Sequence, residues 1–178
     1  EKIIERIVSW LKDYAEKAGV KGYVIGVSGG VDSGVVSTLC AMTGLKVLAL
    51  EMPIRQQKDQ ASRALEHIDF LKNKFPNVEG FTVDLNEPFE ALYKTFDVKD
   101  DEFPAEKLAF ANTRSRLRML TLYYYGQING LLVCGTGNKV EDFGIGFYTK
   151  YGDGGVDVSP IADLYKTEVY ALARALDL

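Results

Sequence analysis

Four short apolar runs alternate with longer segments of helical periodicity along the chain. The runs cover residues 23–27, 46–50, 79–83 and 131–134, and they predict four strands, of which the first two are expected to be buried. Apolar residues three and four apart predict helices over residues 3–18, 33–43, 61–75, 87–95 and 105–125, and a further helix that begins near Thr167. Strands that alternate with helices predict a three-layer α/β fold, in which a Rossmann-like parallel sheet carries helices on both faces.

The length of the chain suits one domain, so residues 1–178 are expected to form a single unit. Its last residues lie within a segment of helical pattern, and we therefore expect a C-terminal segment of the domain to be missing from it. The acidic stretch over residues 97–102 predicts an exposed loop between two helices.

The net charge and the two cysteines limit which binding partners and which cellular location we expect. A net charge of −4 and a pI of about 5.1 disfavour binding to nucleic acid or to an anionic membrane surface. No apolar run approaches the roughly 20 residues that span a bilayer. Cys40 and Cys134 lie far apart in apolar stretches, which predicts neither a disulfide framework nor a zinc site. A reducing, cytoplasmic location fits these features.

The first strand leads into a loop of small residues, consisting of Gly26, Val27, Ser28, Gly29, Gly30, Val31, Asp32 and Ser33. Glycines let a backbone approach an anion, and the unpaired N–H groups at the start of the following helix attract phosphate. Asp32 would repel phosphate unless a cation lay between them, so we expect a magnesium ion there. The alternative is a tight turn in which Asp32 or Ser33 only caps the helix.

Four further polar segments narrow the choice of function, and they cover residues 112–119, 135–142, 149–157 and 162–168. The first holds three arginines spaced two apart, which cannot share one helical face, so at least one is expected to point towards a ligand. Glu141 follows the fourth strand and is expected to share the magnesium ion with Asp32, unless it only begins a helix. The last two segments also suit a surface turn and a helix cap.

These motifs resemble those of a known enzyme family. The loop resembles the S-G-G-x-D-S loop of the ATP pyrophosphatase superfamily, whose members cleave ATP to AMP and pyrophosphate. The segments N-T-R-S-R, G-T-G-N-K-V-E-D, F-Y-T-K-Y-G-D-G-G and D-L-Y-K-T-E resemble those of ammonia-dependent NAD synthetases, and together they span most of residues 22–170. This resemblance implies a fold like that of the adenine nucleotide alpha hydrolases.

The resemblance also implies roles for matching residues. Residues 26–33, Thr136 and Lys166 would bind ATP, and Asp32 and Glu141 would hold Mg²⁺. The second substrate, nicotinic acid adenine dinucleotide, would be bound by Arg116, Lys150 and Asp157. Lys166 and Asp157 would act in catalysis, Asp157 by orienting or deprotonating the ammonium ion. One extra residue between Glu141 and Lys150 leaves Asp142 as an alternative metal ligand, and Arg114 and Arg118 receive no role.

The implied reaction is the amidation of that dinucleotide to NAD with free ammonia, through an acyl-adenylate, in a homodimer whose substrate site lies at the subunit interface. The single histidine, His67, is expected to be structural. The alternatives are another amidating enzyme of the superfamily, such as a GMP synthetase, or a nucleotide-binding module without activity. A tRNA thiolase fits less well, because the chain has no CxxC pair and an acidic balance.

Overall fold

The computed structural model describes residues 1–55, 58–96 and 103–178, with residues 58–61 described by their backbone only. Four strands, β1 (Gly22–Gly26), β2 (Lys46–Glu51), β3 (Val78–Thr82) and β4 (Leu131–Val133), form a parallel sheet in the order β3-β2-β1-β4. All four lie within a residue or two of the predicted runs. The parallel sheet is confirmed.

Six α-helices connect and follow the strands: α1 (Lys2–Ala18), α2 (Val31–Met42), α3 (Lys58–Lys74), α4 (Asn86–Thr95), α5 (Pro104–Asn129) and α6 (Lys166–Ala175). Each predicted helix is confirmed, although α5 runs four residues further than expected, up to Gly130. A π-helical segment, Val140–Ile145, was not predicted. The loop expected at residues 97–102 lies outside the described residues.

The helices cover both faces of the sheet, as predicted. Alternate side chains of each strand point to opposite faces, so that Ile25 and Ala49 pack with α1, α2, α3 and α6, whereas Val24 and Leu48 pack with α4 and α5. His67 on α3 lies 2.8 Å from the hydroxyl of Ser37 on α2 through its Nε2 atom, and burial lowers its pKa. This contact joins two helices of one layer, which fits a structural role.

The strand order places a crevice between β1 and β4. The chain steps from β1 outwards through β2 to β3 and later returns to β4 on the other side of β1. Loops that follow β1 and β4 therefore diverge, and ligands of open α/β sheets bind at such a point. Both glycine-containing loops singled out in the sequence start there.

The end of the chain departs from the prediction. Helix α6 stops at Ala175, because Asp177 adopts a left-handed backbone conformation with φ of 60°. The expectation that the last residues lie inside a helix was wrong.

Within the described ranges, no helix is long and apolar enough to cross a membrane. Cys40 and Cys134 are free and buried, with their Sγ atoms 3.5 Å apart.

Candidate active site

The loop after β1 presents unpaired backbone donors. Gly29 has φ of 77°, a left-handed conformation that favours glycine, and Gly30 is the N-cap of α2 without a side-chain capping bond. The first N–H groups of α2 therefore have no acceptor within the helix. The alternative in which Asp32 or Ser33 caps the helix was wrong, since Asp32 contacts other residues and Ser33 bonds within the loop.

The two serine hydroxyls hold this loop in shape. Ser33 Oγ donates to the carbonyl of Gly30 at 2.9 Å and accepts from the backbone N–H of Ser28 at 3.2 Å. Ser28 Oγ lies 3.1 Å from Ser33 Oγ and accepts from the Gly30 N–H at 3.2 Å. The hydroxyls thus fix a preformed cradle, so little ordering is required when an anion binds.

One lysine links the two acidic residues predicted to hold metal. Lys166, the first residue of α6, forms ion pairs with Asp32 Oδ2 and, at 3.3 Å, with Glu141 Oε1. Burial opposes the charge of the ammonium group, but the hydrogen bond and charge of Asp32 and the charge of Glu141 raise its pKa above the usual value. Residues far apart in the sequence therefore converge on one cation.

The same pair of carboxylates suits a magnesium ion. A single ammonium group bridges Asp32 and Glu141, so both carboxylates already face one positive charge. Proteins usually bind Mg²⁺ through one or two carboxylates together with water and substrate phosphates, so these two residues would be sufficient to hold it.

Of the two adjacent acids, only Glu141 reaches this cluster. The carboxylate of Asp142 lies against the Gly137 backbone, where a Cβ atom would fall 2.1 Å from Asp142 Oδ2. Burial raises the pKa of Asp142, and the charges of Asp153 and Glu141 add to the shift. Because Glu141 shares the ammonium of Lys166 with Asp32, the geometry favours Glu141 as the ligand.

A cavity of about 760 Å³ opens beside the loop. Its walls include residues 26–30 of the loop, Thr136 after β4, and the side chains of Arg55, Arg63, Arg114 and Arg118. Such a volume lies within the 300–1,000 Å³ range that is typical of ligand sites for a small molecule or cofactor. The cradle, Thr136 and several guanidinium groups thus share one cavity.

Arg114 and Arg118 were missed in the sequence although their spacing contained a signal. Residues four apart share a helix face, so these two arginines point together into the cavity and Arg116 does not. Arg118 Nε donates to the Met52 carbonyl at 2.9 Å, and burial together with the charge of Arg114 lowers its pKa. Two guanidinium groups that line one cavity suit an anionic ligand.

Comparison with known proteins identifies the family. A sequence model of the NAD synthase family matches residues 3–178. The chain belongs to the NAD synthase family. The NH3-dependent NAD(+) synthetase of Finegoldia magna is 39% identical over 176 residues, which are 98% of this chain and 68% of that relative.

Two solved structures superpose closely on the chain. The NMN synthetase of Francisella tularensis has a TM-score of 0.87 and 35% identity, with 99% of this chain and 70% of that chain covered. The NH3-dependent NAD synthetase of Campylobacter jejuni, solved with a nitrate ion, has a TM-score of 0.87 and 34% identity, with 99% and 73% covered. The four-stranded parallel sheet therefore agrees with the fold of NAD synthetases.

The glycine-rich segment of this NAD synthase domain is docked onto α5. Ser115 Oγ donates to Asp153 Oδ1 at 2.7 Å and accepts from the Asp153 N–H at 2.8 Å. Thr149 Oγ1 donates to Asn112 Oδ1 at 2.8 Å. A Cβ atom at Gly152 would lie 2.4 Å from Ser115 Oγ, so the close approach requires glycine. Asn112 and Ser115 of the N-T-R-S-R segment therefore anchor the loop.

The three residues matched to the second substrate lie outside the cavity that the loop lines. Arg116 is exposed and its Nε donates to the carbonyl of Lys150 at 3.2 Å. Asp157 accepts from the Tyr123 hydroxyl at 3.0 Å and from the Val133 N–H at 2.8 Å. The structure thus brings Arg116 and Lys150 together, and fixes Asp157 at the end of β4.

Proposed function

We propose that this chain catalyses the ATP-dependent amidation of nicotinic acid adenine dinucleotide with ammonia, which yields NAD, AMP and pyrophosphate. The observation that supports this most directly is the meeting of Asp32, Glu141 and Lys166 beside an uncapped helix start. That arrangement suits a triphosphate held by its β- and γ-phosphates, with the α-phosphate left open. Membership of the NAD synthase family supports the choice of substrate.

The first step activates the nicotinate carboxylate. A carboxylate is a poor acyl donor, because its charge repels nucleophiles and oxide is a poor leaving group. Its oxygen attacks the α-phosphorus of ATP, the bond to the β-phosphate oxygen breaks, and pyrophosphate leaves with the electron pair. The loop N–H groups and the ammonium of Lys166 stabilise the negative charge on the departing phosphates. Mg²⁺ held by Asp32 and Glu141 would supply further neutralisation of that charge.

The second step forms the amide. Ammonia attacks the carbonyl carbon of the acyl-adenylate, and AMP leaves with the electron pair of the broken C–O bond. Asp157 is the acid that we assign to orient the ammonium ion or accept its proton. Its carboxylate is fixed by Tyr123 and by the Val133 N–H, and these contacts prevent free rotation.

Asp157→Asn keeps the shape of the side chain but replaces one carboxylate oxygen with an NH2 group, so the side chain loses its charge and can no longer accept a proton. We expect the rate of amidation to fall by about 10²-fold, the size typical of general acid–base catalysis, while pyrophosphate release in the first step continues. Quenched-flow measurement of pyrophosphate and NAD separates the two steps. Tyr123→Phe, which removes only one bond to Asp157, is the matched control and should have a smaller effect. Full amidation by the asparagine variant would eliminate the assigned role.

A single assay tests the overall proposal. The protein is incubated with ATP, Mg²⁺, ammonium and nicotinic acid adenine dinucleotide, and NAD and AMP are quantified. Equal amounts of both products are expected. A parallel reaction with nicotinic acid mononucleotide is informative, because one structural relative is an NMN synthetase. ADP formation, or AMP release without the pyridine substrate, would contradict the proposal. If neither pyridine substrate is converted, the result would support the alternative of a nucleotide-binding module without activity.

We also expect a homodimer that completes the second substrate site. Leu120, Tyr124 and Ile128 are spaced four apart on α5 and are 62%, 59% and 61% exposed. Arg116 lies one turn earlier on the same face, so the exposed apolar stripe continues into a residue assigned to the dinucleotide. A second copy that covers this stripe would remove apolar surface from water. Sedimentation velocity should give twice the monomer mass, and a monomer at assay concentration would contradict this.

A further inference from the structure

Asn138 is buried beneath the cluster of carboxylates. Its side chain is fully inaccessible, with 0% exposure, and the amide is bonded on both sides. Asn138 Nδ2 donates to Asp32 Oδ1 at 3.0 Å. Asn138 Oδ1 accepts from the backbone N–H groups of Val140 at 3.1 Å and Glu141 at 3.2 Å. One amide therefore connects the start of α2 with the start of the π-helical segment.

These bonds determine which way the two acids face. A free carboxylate rotates about its last side-chain bond, but Asn138 holds Oδ1 of Asp32, and Oδ2 is then left to meet the ammonium of Lys166. The bond to the Glu141 N–H fixes the backbone from which the second carboxylate projects. The neighbouring N–H of Lys139 donates to the Leu164 carbonyl at 3.0 Å, which ties the same loop to the segment before Lys166.

We propose that Asn138 is a positioning residue that holds Asp32 and Glu141 at the spacing required by one divalent cation. The inference rests on the proposed function, because it assumes that these carboxylates bind magnesium. Asn138 makes no contact with the cation itself and acts through the acids that do. Partners of metal ligands of this kind change metal affinity or activity by about 10- to 100-fold when they are replaced.

The direct measurement is cation binding in the absence of turnover. Mn²⁺ takes the place of Mg²⁺ as a paramagnetic probe, and α,β-methylene-ATP occupies the nucleotide site because it cannot be cleaved at the α-phosphate. Asn138→Leu has a similar volume but lacks both halves of the amide. We expect its dissociation constant for Mn²⁺ to rise at least tenfold in electron paramagnetic resonance titrations. We also expect kcat to fall, and the KM for ammonium to stay within twofold.

A matched control separates positioning from loss of stability. Asn77 is also an amide that bridges two segments, since its Nδ2 donates to the carbonyls of Ala41 at 2.9 Å and Leu45 at 2.7 Å. It lies at the start of β3, at the opposite edge of the sheet. Asn77→Leu should lower the thermal midpoint without a change in Mn²⁺ affinity. Equal Mn²⁺ affinity in the two leucine variants would overturn the role of Asn138.

A second variant covers the case in which Asn138→Leu does not fold. Asn138→Asp retains an oxygen for the N–H groups of Val140 and Glu141, and therefore the anchor of the loop. It replaces the donor to Asp32 with a negatively charged oxygen. We expect at least a tenfold loss of kcat at saturating Mg²⁺ in a folded protein, whereas wild-type kcat would overturn the proposal. If wild-type protein binds Mn²⁺ but forms no NAD, only the proposed function fails.

Discussion

Asp32→Asn is expected to lower kcat for NAD formation by a factor on the order of 10³ while the protein stays folded. The substitution preserves the shape and removes the charge that pairs with Lys166 and that the proposed magnesium ion requires. A loss of that size is about 4 kcal/mol of transition-state stabilisation. The uncharged amide also leaves the β- and γ-phosphates with one fewer link to the protein. Steady-state kinetics at saturating ATP and Mg²⁺ measure the change.

Asp69→Asn provides the control for this substitution. Asp69 is exposed on α3 and forms an ion pair with Lys72 at 3.6 Å, three residues along the same helix. Exposed pairs of this kind contribute little, so the variant should keep kcat within twofold of wild type and unfold at nearly the same temperature. If Asp32→Asn retains more than a tenth of wild-type kcat, then Asp32 does not hold the metal.

Periodicity was sufficient to predict most of the fold. Strands and helices differ in apolar spacing, and short connections limit the arrangements that a parallel sheet can take. The errors occur where local pattern gives no signal. The π-helical segment Val140–Ile145 begins where the N–H of Val140 donates to Asn138, and α6 ends two residues before Asp177, which has a left-handed conformation. Both depend on contacts or backbone angles that apolar spacing does not encode.

Only part of the candidate site could be predicted from the sequence. The loop of residues 26–33 is contiguous, and its glycines, hydroxyls and helix start can be read directly. The three arginines illustrate the limit, because spacing alone pairs Arg114 with Arg118, while Arg116 was singled out by resemblance. The structure places these two groups on different sides of α5. Residues 112–119 therefore contribute arginines both to the cavity and to the exposed face of α5.

The sequence predicted that distant residues share one site, but it did not predict which of their side chains contact each other directly. Lys166 and Asp32 are 134 positions apart, and nothing in either local sequence shows that they meet. The same holds for Asn138, whose amide looks like that of any loop residue until its burial and its bond to Asp32 are known. A polar side chain that is fully buried must be hydrogen-bonded, and its partners then reveal what it positions.

Lys166→Met should have opposite effects on cation binding and on catalysis. The ammonium group of Lys166 lies between Asp32 and Glu141, so it would compete with a metal ion for both carboxylates. The uncharged methionine removes that competition. We therefore expect the affinity for Mn²⁺ without nucleotide to increase about tenfold, since breaking one part of a charge cluster leaves the remaining carboxylates without a partner. The affinity is measured by electron paramagnetic resonance titration.

Catalysis should change in the other direction, because the same ammonium stabilises charge on the phosphates once ATP is bound. We expect kcat/KM for ATP to fall by about 10²- to 10³-fold. Lys139→Met is the matched control, since the ammonium of Lys139 lies 4.6 Å from the ring centre of Tyr165 and forms no ion pair with these acids in the described structure. Lys139→Met should leave the affinity for Mn²⁺ and the kcat/KM for ATP within twofold of the wild-type values. Weaker Mn²⁺ binding in Lys166→Met would show that the lysine supports the metal site and does not occupy its place.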